Sequence, residues 1–195
     1  MRHRGSSNIG GRFGFKLGTD CSGLDACAWA LQSMGVRFSH VFTSDINPYC
    51  RKTLEENFAP SIIYDDIATR TIETIEPVDV YLAGFPCQPF SQQGFHGGLQ
   101  DGRAGPIAHI LRYLDYHAPR LVVLENVKGL ALCHRDVLDF LCQHFFEQGY
   151  NVWWKVLNAR FHGTARVPAR QRVAQASSPS DGPRSQTNIL NHQRL

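Results

Sequence analysis

The side chains able to do covalent or proton-transfer chemistry fall at a few sharply bounded places in the chain. Cys87 lies in DVYLAGFPCQPFS, residues 79–91, directly after an apolar run that stops at Gly84. Pro86 and Pro89 fix φ and cannot continue a hydrogen-bonded ladder, so the cysteine sits on a stiff loop at a strand's C-terminal end. Open α/β sheets place their ligands there, and a thiol held on such a loop suits a nucleophile. The plainer reading is a small buried hydrophobe, the common fate of a free cysteine. The turn formers and polar groups around Cys87 are unlike a core strand, which favours the nucleophile. A second candidate closes the apolar run Leu121-Val122-Val123-Leu124: Glu125, whose carboxyl at a strand tip is poorly solvated and suits a general acid. Its plainer role is to cap the next helix.

Three further groups suit binding. Asp45 ends a second apolar run about 20 residues beyond the turn 20–25, the spacing at which an acid accepts from both hydroxyls of a cofactor ribose. It also suits a helix N-cap. Asp65-Asp66-Ile67 follows a third run: one carboxylate would take the exocyclic amine of an adenine with Ile67 against the ring, or the pair is a solvated turn. Arg160, Arg166, Arg170 and Arg172 form a basic cluster suited to phosphate contacts.

Positioning these groups requires alternating strands and helices. Residues 13–19 read as a first strand, 20–25 (DCSGLD) as a turn, and 26–34 as an amphipathic helix ended by Gly35. Strands at 40–44 and 61–64 flank a helix opened by Asn47-Pro48 and running to about residue 57. The stretch 94–106 holds five glycines in thirteen residues, a permissive loop able to close over a ligand. Helices are expected at 107–117 and 136–148, with the strand 121–124 between them and a last strand at 151–158. In that last strand Trp153-Trp154 would stack a base or, more usually, pack at a sheet edge.

At 195 residues the chain fits one domain with terminal extensions, and 43% hydrophobic against 19% charged residues provides a sizeable core. The expected division is a disordered arm over 1–12, a catalytic domain over 13–173, and a disordered tail over 174–195 that is rich in Ser, Pro, Gln and Asn. A net charge of +3 permits an anionic partner without demanding one. The six cysteines are scattered without a CxxC pair and no secretory segment opens the chain, which implies reduced thiols and an intracellular setting. No spacing among the nine histidines fits a metal site, and no stretch approaches the roughly 20 apolar residues a membrane span needs.

PCQPFS at 86–91 resembles, nearly residue for residue, the catalytic loop of the cytosine-C5 DNA methyltransferases. The likeness runs as an ordered series over about 15–172. It takes in DCSGLD as the first cofactor loop, Asp45 as the ribose acid, and Asp66-Ile67 as the adenine pair. Glu125-Asn126-Val127 looks like the family's ENV, and Arg170-Gln171-Arg172 like its RxR. The resemblance implies a Rossmann-like S-adenosylmethionine-dependent methyltransferase fold, a mostly parallel sheet with helices on both faces, incomplete at its C-terminal end. It implies S-adenosyl-L-methionine as cofactor, held by Asp20, Cys21, Ser22, Gly23, Leu24, Asp45, Ile46, Asp66, Ile67, Gly84 and Pro86. Cys87 would add to C6 of a cytosine flipped out of DNA, Glu125 would protonate N3, and Arg170 and Arg172 would hold the base.

The sequence departs from the family pattern in three places. The doubled glycine of the first loop is absent, Ala169 stands near a usual glutamine, and Ala104-Gly105-Pro106 replaces a Gly-Thr-Leu type of sequence. A target-recognition region and the final motifs are not recognisable, so a truncated chain, or one relying on a second polypeptide, is expected. Two other functions keep part of this reading: a catalytically silent relative that binds cofactor or DNA as an interaction module, and a tRNA cytosine-C5 methyltransferase. The expected location is the nucleus or another DNA-containing compartment. An NAD-type oxidoreductase shares the fold level but lacks its glycine fingerprint here and leaves the Cys87 loop without a role.

Overall fold

The computed structural model describes residues 14–86 and 105–158, and the backbone of 175–177. Within these residues seven strands form one sheet in the order β3-β2-β1-β4-β5-β7-β6. The strands are β1 (Phe15–Asp20), β2 (Phe38–Ser44), β3 (Ile62–Tyr64), β4 (Val80–Gly84), β5 (Leu121–Glu125), β6 (Asn151–Trp153) and β7 (Gln175–Ser177). β1 to β5 run parallel, while β7 is antiparallel to both β5 and β6. Among the described residues the helices are α1 (Ala26–Ser33), α2 (Pro48–Phe58), α3 (Gly105–His117), α4 (Gly129–Cys133) and α5 (Arg135–Glu147), with a 3₁₀ turn at Ile72–Thr74.

Residues on the central strands alternate between two apolar layers, as a sheet covered on both faces requires. Tyr81, Ala83, Val122 and Leu124 face a large core with Ile107, Ile110, Leu111 and Leu114 of α3 and Val137, Leu138 and Leu141 of α5. Leu17, Val80, Leu82 and Val123 face the other way, against Ala28 and Leu31 of α1 and Phe58 of α2. Gly18 in β1 has a packing reason. A Cβ there would fall 2.5 Å from Cε1 of Phe42, so only glycine lets that buried ring cross the strand.

From β1 the chain steps outward to β2 and β3, then returns to lay β4 on the opposite side of β1 and continues to β5. The direction of winding therefore reverses between β1 and β4. Parallel strands leave a crevice at such a reversal, outside their C-terminal ends. Asp20, Ser44, Gly84 and Glu125 are the last residues of β1, β2, β4 and β5.

Three element expectations differ from the structure. The strand expected over 151–158 covers only Asn151–Trp153, with Trp153 exposed on the edge and the Trp154 ring beneath Arg135, 4.9 Å from its guanidinium. The short helix α4 was not foreseen, because five residues are too few to show a period. Gln175–Ser177 lies within 174–195, where disorder is expected, yet pairs with Leu121–Val123 on one side and Asn151–Trp153 on the other. These residues lack the apolar signature of a strand, and the pairing is long-range. A sheet strand beyond 173 therefore exists, contrary to the sequence expectation. Among the described residues no helix is long and apolar enough to cross a membrane.

Candidate active site

The turn joining β1 to α1 is tightly specified. Cys21, Gly23 and Asp25 all take left-handed backbone angles, with φ of 50°, 56° and 51°. For the two non-glycine residues this conformation is costly and must be held by surrounding bonds. Ser22 supplies several: its N–H donates to the Ser44 carbonyl (3.1 Å), and its hydroxyl lies 2.9 Å from Thr19 Oγ1 and 2.7 Å from Thr43 Oγ1. Asp25 accepts from the Thr19 hydroxyl (2.9 Å) and from the Ala28 N–H (3.0 Å), which makes it the N-cap of α1. Ser22 and Asp25 thus spend their side chains on shaping the turn. Leu24 is exposed, and no described residue lies within 4 Å of where a Cβ on Gly23 would be, so among the described residues the space over the turn is open.

Asp45 stands opposite. Its Oδ2 accepts from the Gly23 N–H at 2.8 Å and its Oδ1 from the Asn47 N–H at 2.8 Å. The N-cap of α2 is Asn47, whose Oδ1 accepts from the Tyr49 N–H at 2.9 Å. Asp45 is therefore relieved of the capping role that the sequence left open. With one backbone donor on each oxygen, each keeps a lone pair free for another donor. Beside it Ile46 is 75% exposed, an apolar surface with no cover among the described residues. An adenosine moiety fits this arrangement: a half-buried carboxylate for ribose hydroxyls, an apolar side chain for a base, and open space above a glycine.

Two residues expected to face the cofactor do not offer their side chains to it. Ile67 is 5% exposed and belongs to the large core, because the Asp65-Asp66-Ile67 turn buries its one apolar residue. Ile46 offers an exposed apolar side chain instead. Asp20 is fully buried: Arg70, Tyr81 and the Ser44 hydroxyl (2.6 Å) hold its carboxylate beneath the turn. Asp66 is half-buried, with Oδ1 accepting from the Ala68 N–H at 2.8 Å. The Cys21 thiol is pushed up to about 12 by burial and by the neighbouring Asp20 and Asp45 carboxylates, so it stays protonated and unreactive.

The exits of β4 and β5 define the other half of the crevice. Gly84 pairs with Glu125 in the parallel ladder. A Cβ on Gly84 would sit 3.4 Å from Glu125 Oε2 and 3.5 Å from the Cys21 carbonyl oxygen. The missing side chain leaves a notch where the tips of β1, β4 and β5 meet, bordered by the Glu125 carboxylate. Asn126, buried, donates from Nδ2 to the Phe85 carbonyl (2.8 Å), and its Oδ1 accepts from the Val127 N–H (2.8 Å). That side chain straps the exit of β4 to the exit of β5. It fixes the backbone two residues before Cys87, while Pro86 beside it is exposed.

Cys87, Arg170 and Arg172 lie outside the described residues. Within them, the structure brings Cys21, Ser22, Gly23, Leu24, Asp45, Ile46, Gly84 and Glu125 to the C-terminal rim of the sheet, and turns the Asp20 and Ile67 side chains inward. Sequence reading missed Arg70 and the strap role of Asn126. An acid such as Asp20 at the end of a buried strand was the available signal, since a buried carboxylate demands a cationic or hydrogen-bonding partner.

Residues 20–193 match the family model described as C-5 cytosine-specific DNA methylase. The type II methyltransferase M.NlaIV of Neisseria lactamica is 34% identical over 142 residues, which cover 69% of this chain and 34% of that protein. M.DsaV of Dactylococcopsis salina is 37% identical over 120 residues, 61% of this chain and 34% of its own. The chain thus spans about a third of the length of these curated relatives. Among solved structures, the S. pombe Dnmt2 methyltransferase superposes with a TM-score of 0.70 at 22% identity, covering 87% of this chain and 52% of that one. The Entamoeba histolytica methyltransferase EhMeth gives 0.68 at 19%, covering 93% and 58%. At these identities the two structures speak for the fold alone.

Proposed function

This chain belongs to the C-5 cytosine-specific DNA methylase family, and we propose that it transfers a methyl group from S-adenosyl-L-methionine to C5 of cytosine in DNA. The observation that carries the proposal is the notch at Gly84. The segment leading to Cys87 leaves β4 beside the Glu125 carboxylate and across from the turn that meets Asp45.

In this reading Asp45 holds the ribose hydroxyls, Ile46 covers one face of the adenine, and the 21–24 turn borders the rest of the cofactor. The cofactor supplies an electrophilic methyl group when bound. Cytosine C5 is too weak a nucleophile to take that methyl unaided. The Cys87 thiolate adds to C6 while Glu125 gives a proton to N3, which turns the ring into an enamine nucleophilic at C5. After transfer, the C5 proton leaves to water and the C6–S bond breaks. This returns the thiolate and the aromatic ring, and N3 hands its proton back to Glu125. Arg170 and Arg172 hold the base, which must leave the duplex to reach the crevice.

Incubating the chain with S-adenosyl-L-methionine labelled on its methyl group, in parallel with duplex DNA and with tRNA, tests the proposal. Label on cytosine C5 of DNA is expected. Label on tRNA alone would move the acceptor to RNA, and cofactor binding with no transfer to either would make the chain a silent relative.

A further inference from the structure

We propose that the buried Asp20–Arg70 ion pair is a positioning device that locks the 20–25 turn and the 66–70 segment together from beneath, and so sets the affinity of the crevice for its cofactor. The inference rests on the cofactor reading above and adds a residue, Arg70, that the family motifs at 20–25 and 66–67 do not include.

The two charges are withdrawn from water almost completely, with side-chain exposures of 2% for Arg70 and none for Asp20. The guanidinium grips the carboxylate with both Nη atoms, Nη1 donating to Oδ1 at 2.6 Å and Nη2 to Oδ2. The Ser44 hydroxyl donates to Oδ1 at 2.6 Å and the Tyr81 hydroxyl to Oδ2, so each oxygen has two donors. Burial, reinforced by Asp20, raises the Tyr81 hydroxyl well above its ordinary range and keeps it a donor. Around the guanidinium the Phe42, Tyr64 and Tyr113 rings have centroids 5.2, 5.5 and 5.6 Å away. Their π faces offset part of the cost of burying the cation.

A core does not need such a pair. Replacing a buried ion pair with uncharged residues of like volume is often neutral for stability. What this one does is geometric. Asp20 ends β1, and the next residues are the left-handed Cys21, Ser22 and the Gly23 whose N–H reaches Asp45. Arg70 ends the turn in which Asp66 accepts from the Ala68 and Thr69 amides. The pair bridges 50 residues of sequence. It ties the first and third loops of the crevice through the core, as the Gly23–Asp45 bond ties the first and second at the rim.

The test uses the whole chain carrying Asp20→Asn with Arg70→Met, which removes both charges at similar volume. Backbone hydrogen exchange and calorimetric titration with S-adenosyl-L-methionine are then compared with the parent. Amides in α5 should stay as protected as in the parent. Those of Gly23, Ala68 and Thr69 should exchange at least tenfold faster, and the Kd should rise at least tenfold. Exchange at Gly23 and Ala68 within twofold of the parent, with an unchanged Kd, would overturn the proposal. If the double variant loses protection in α5 as well, Arg70→Lys decides instead. It keeps the charge but not the two-pronged grip: faster exchange confined to the two loops supports the device, and parent-like exchange overturns it. A parent chain that fails to bind the cofactor overturns the methyl-transfer reading itself, and the affinity role with it; loosening of the two loops alone would then leave a purely structural clamp.

Discussion

At the scale of single residues, the account turns on which carboxylates are already engaged and which are free to act. Asp20 is saturated by Arg70, Ser44 and Tyr81, and Asp25 by Thr19 and the end of α1. Asp45 and Glu125 stay half-buried at the rim with capacity left for a ligand. Sequence pattern alone placed Glu125 at a strand exit, because a carboxylate closing an unbroken apolar strand has few places to go. It misjudged Asp20 and Ile67, because a motif gives a position but not the direction of a side chain. The buried partner Arg70 lies 50 residues away. If Glu125 donates the proton at N3, Glu125→Gln removes the acid and leaves the shape. Methyl transfer should then fall by roughly 10²- to 10⁴-fold, the usual worth of a positioned general acid. Titrated cofactor affinity should not move. Equal losses in both would assign Glu125 to binding rather than to proton transfer.

At the scale of elements, β1, β2 and α1 are joined under the first turn by a buried polar network of Thr19, Asp25, His40, Thr43 and Ser22. His40 lies between the Phe38 and Phe58 rings, with Asp25 Oδ2 3.6 Å from its Nε2. Burial lowers its affinity for a proton below the ordinary 6.5, although Asp25 pulls the other way. Well above pH 6.5 the imidazole is neutral in both folded and unfolded chains and contributes no pH dependence. As pH falls through that value the unfolded chain gains a proton that the folded one resists, so stability drops. His40→Gln should flatten that part of the curve: between pH 7.5 and about 5.5 its melting temperature should fall by a few degrees less than the parent's. Parallel curves for the two proteins would remove His40 as a source of the pH dependence. The elements themselves were legible wherever an apolar run or a helical period was long enough, as in β4, β5, α3 and α5. They were illegible in α4 and β7, where five and three residues carry no period and the sheet neighbours decide.

At the scale of the whole molecule, the order β3-β2-β1-β4-β5-β7-β6 creates the crevice, and Cys21, Gly23, Asp45, Gly84 and Glu125, among the described residues, lie at strand exits around it. That architecture was readable because alternating strands and helices allow few arrangements and the winding must reverse somewhere. The antiparallel β7 escaped, since its pairing with β5 and β6 is set by the finished sheet rather than by Gln175-Ala176-Ser177. The central claim is that Cys87 is the nucleophile beside Glu125, and covalent capture tests it most directly. In DNA carrying 5-fluorocytosine the fluorine cannot leave C5 as a proton does, so the C6–S bond persists after methyl transfer. With S-adenosyl-L-methionine present, the parent chain should give a denaturant-stable complex whose modified peptide contains Cys87, and Cys87→Ser should give none. A parent chain that binds cofactor and DNA yet forms no such complex, or a complex that survives Cys87→Ser, would contradict the account.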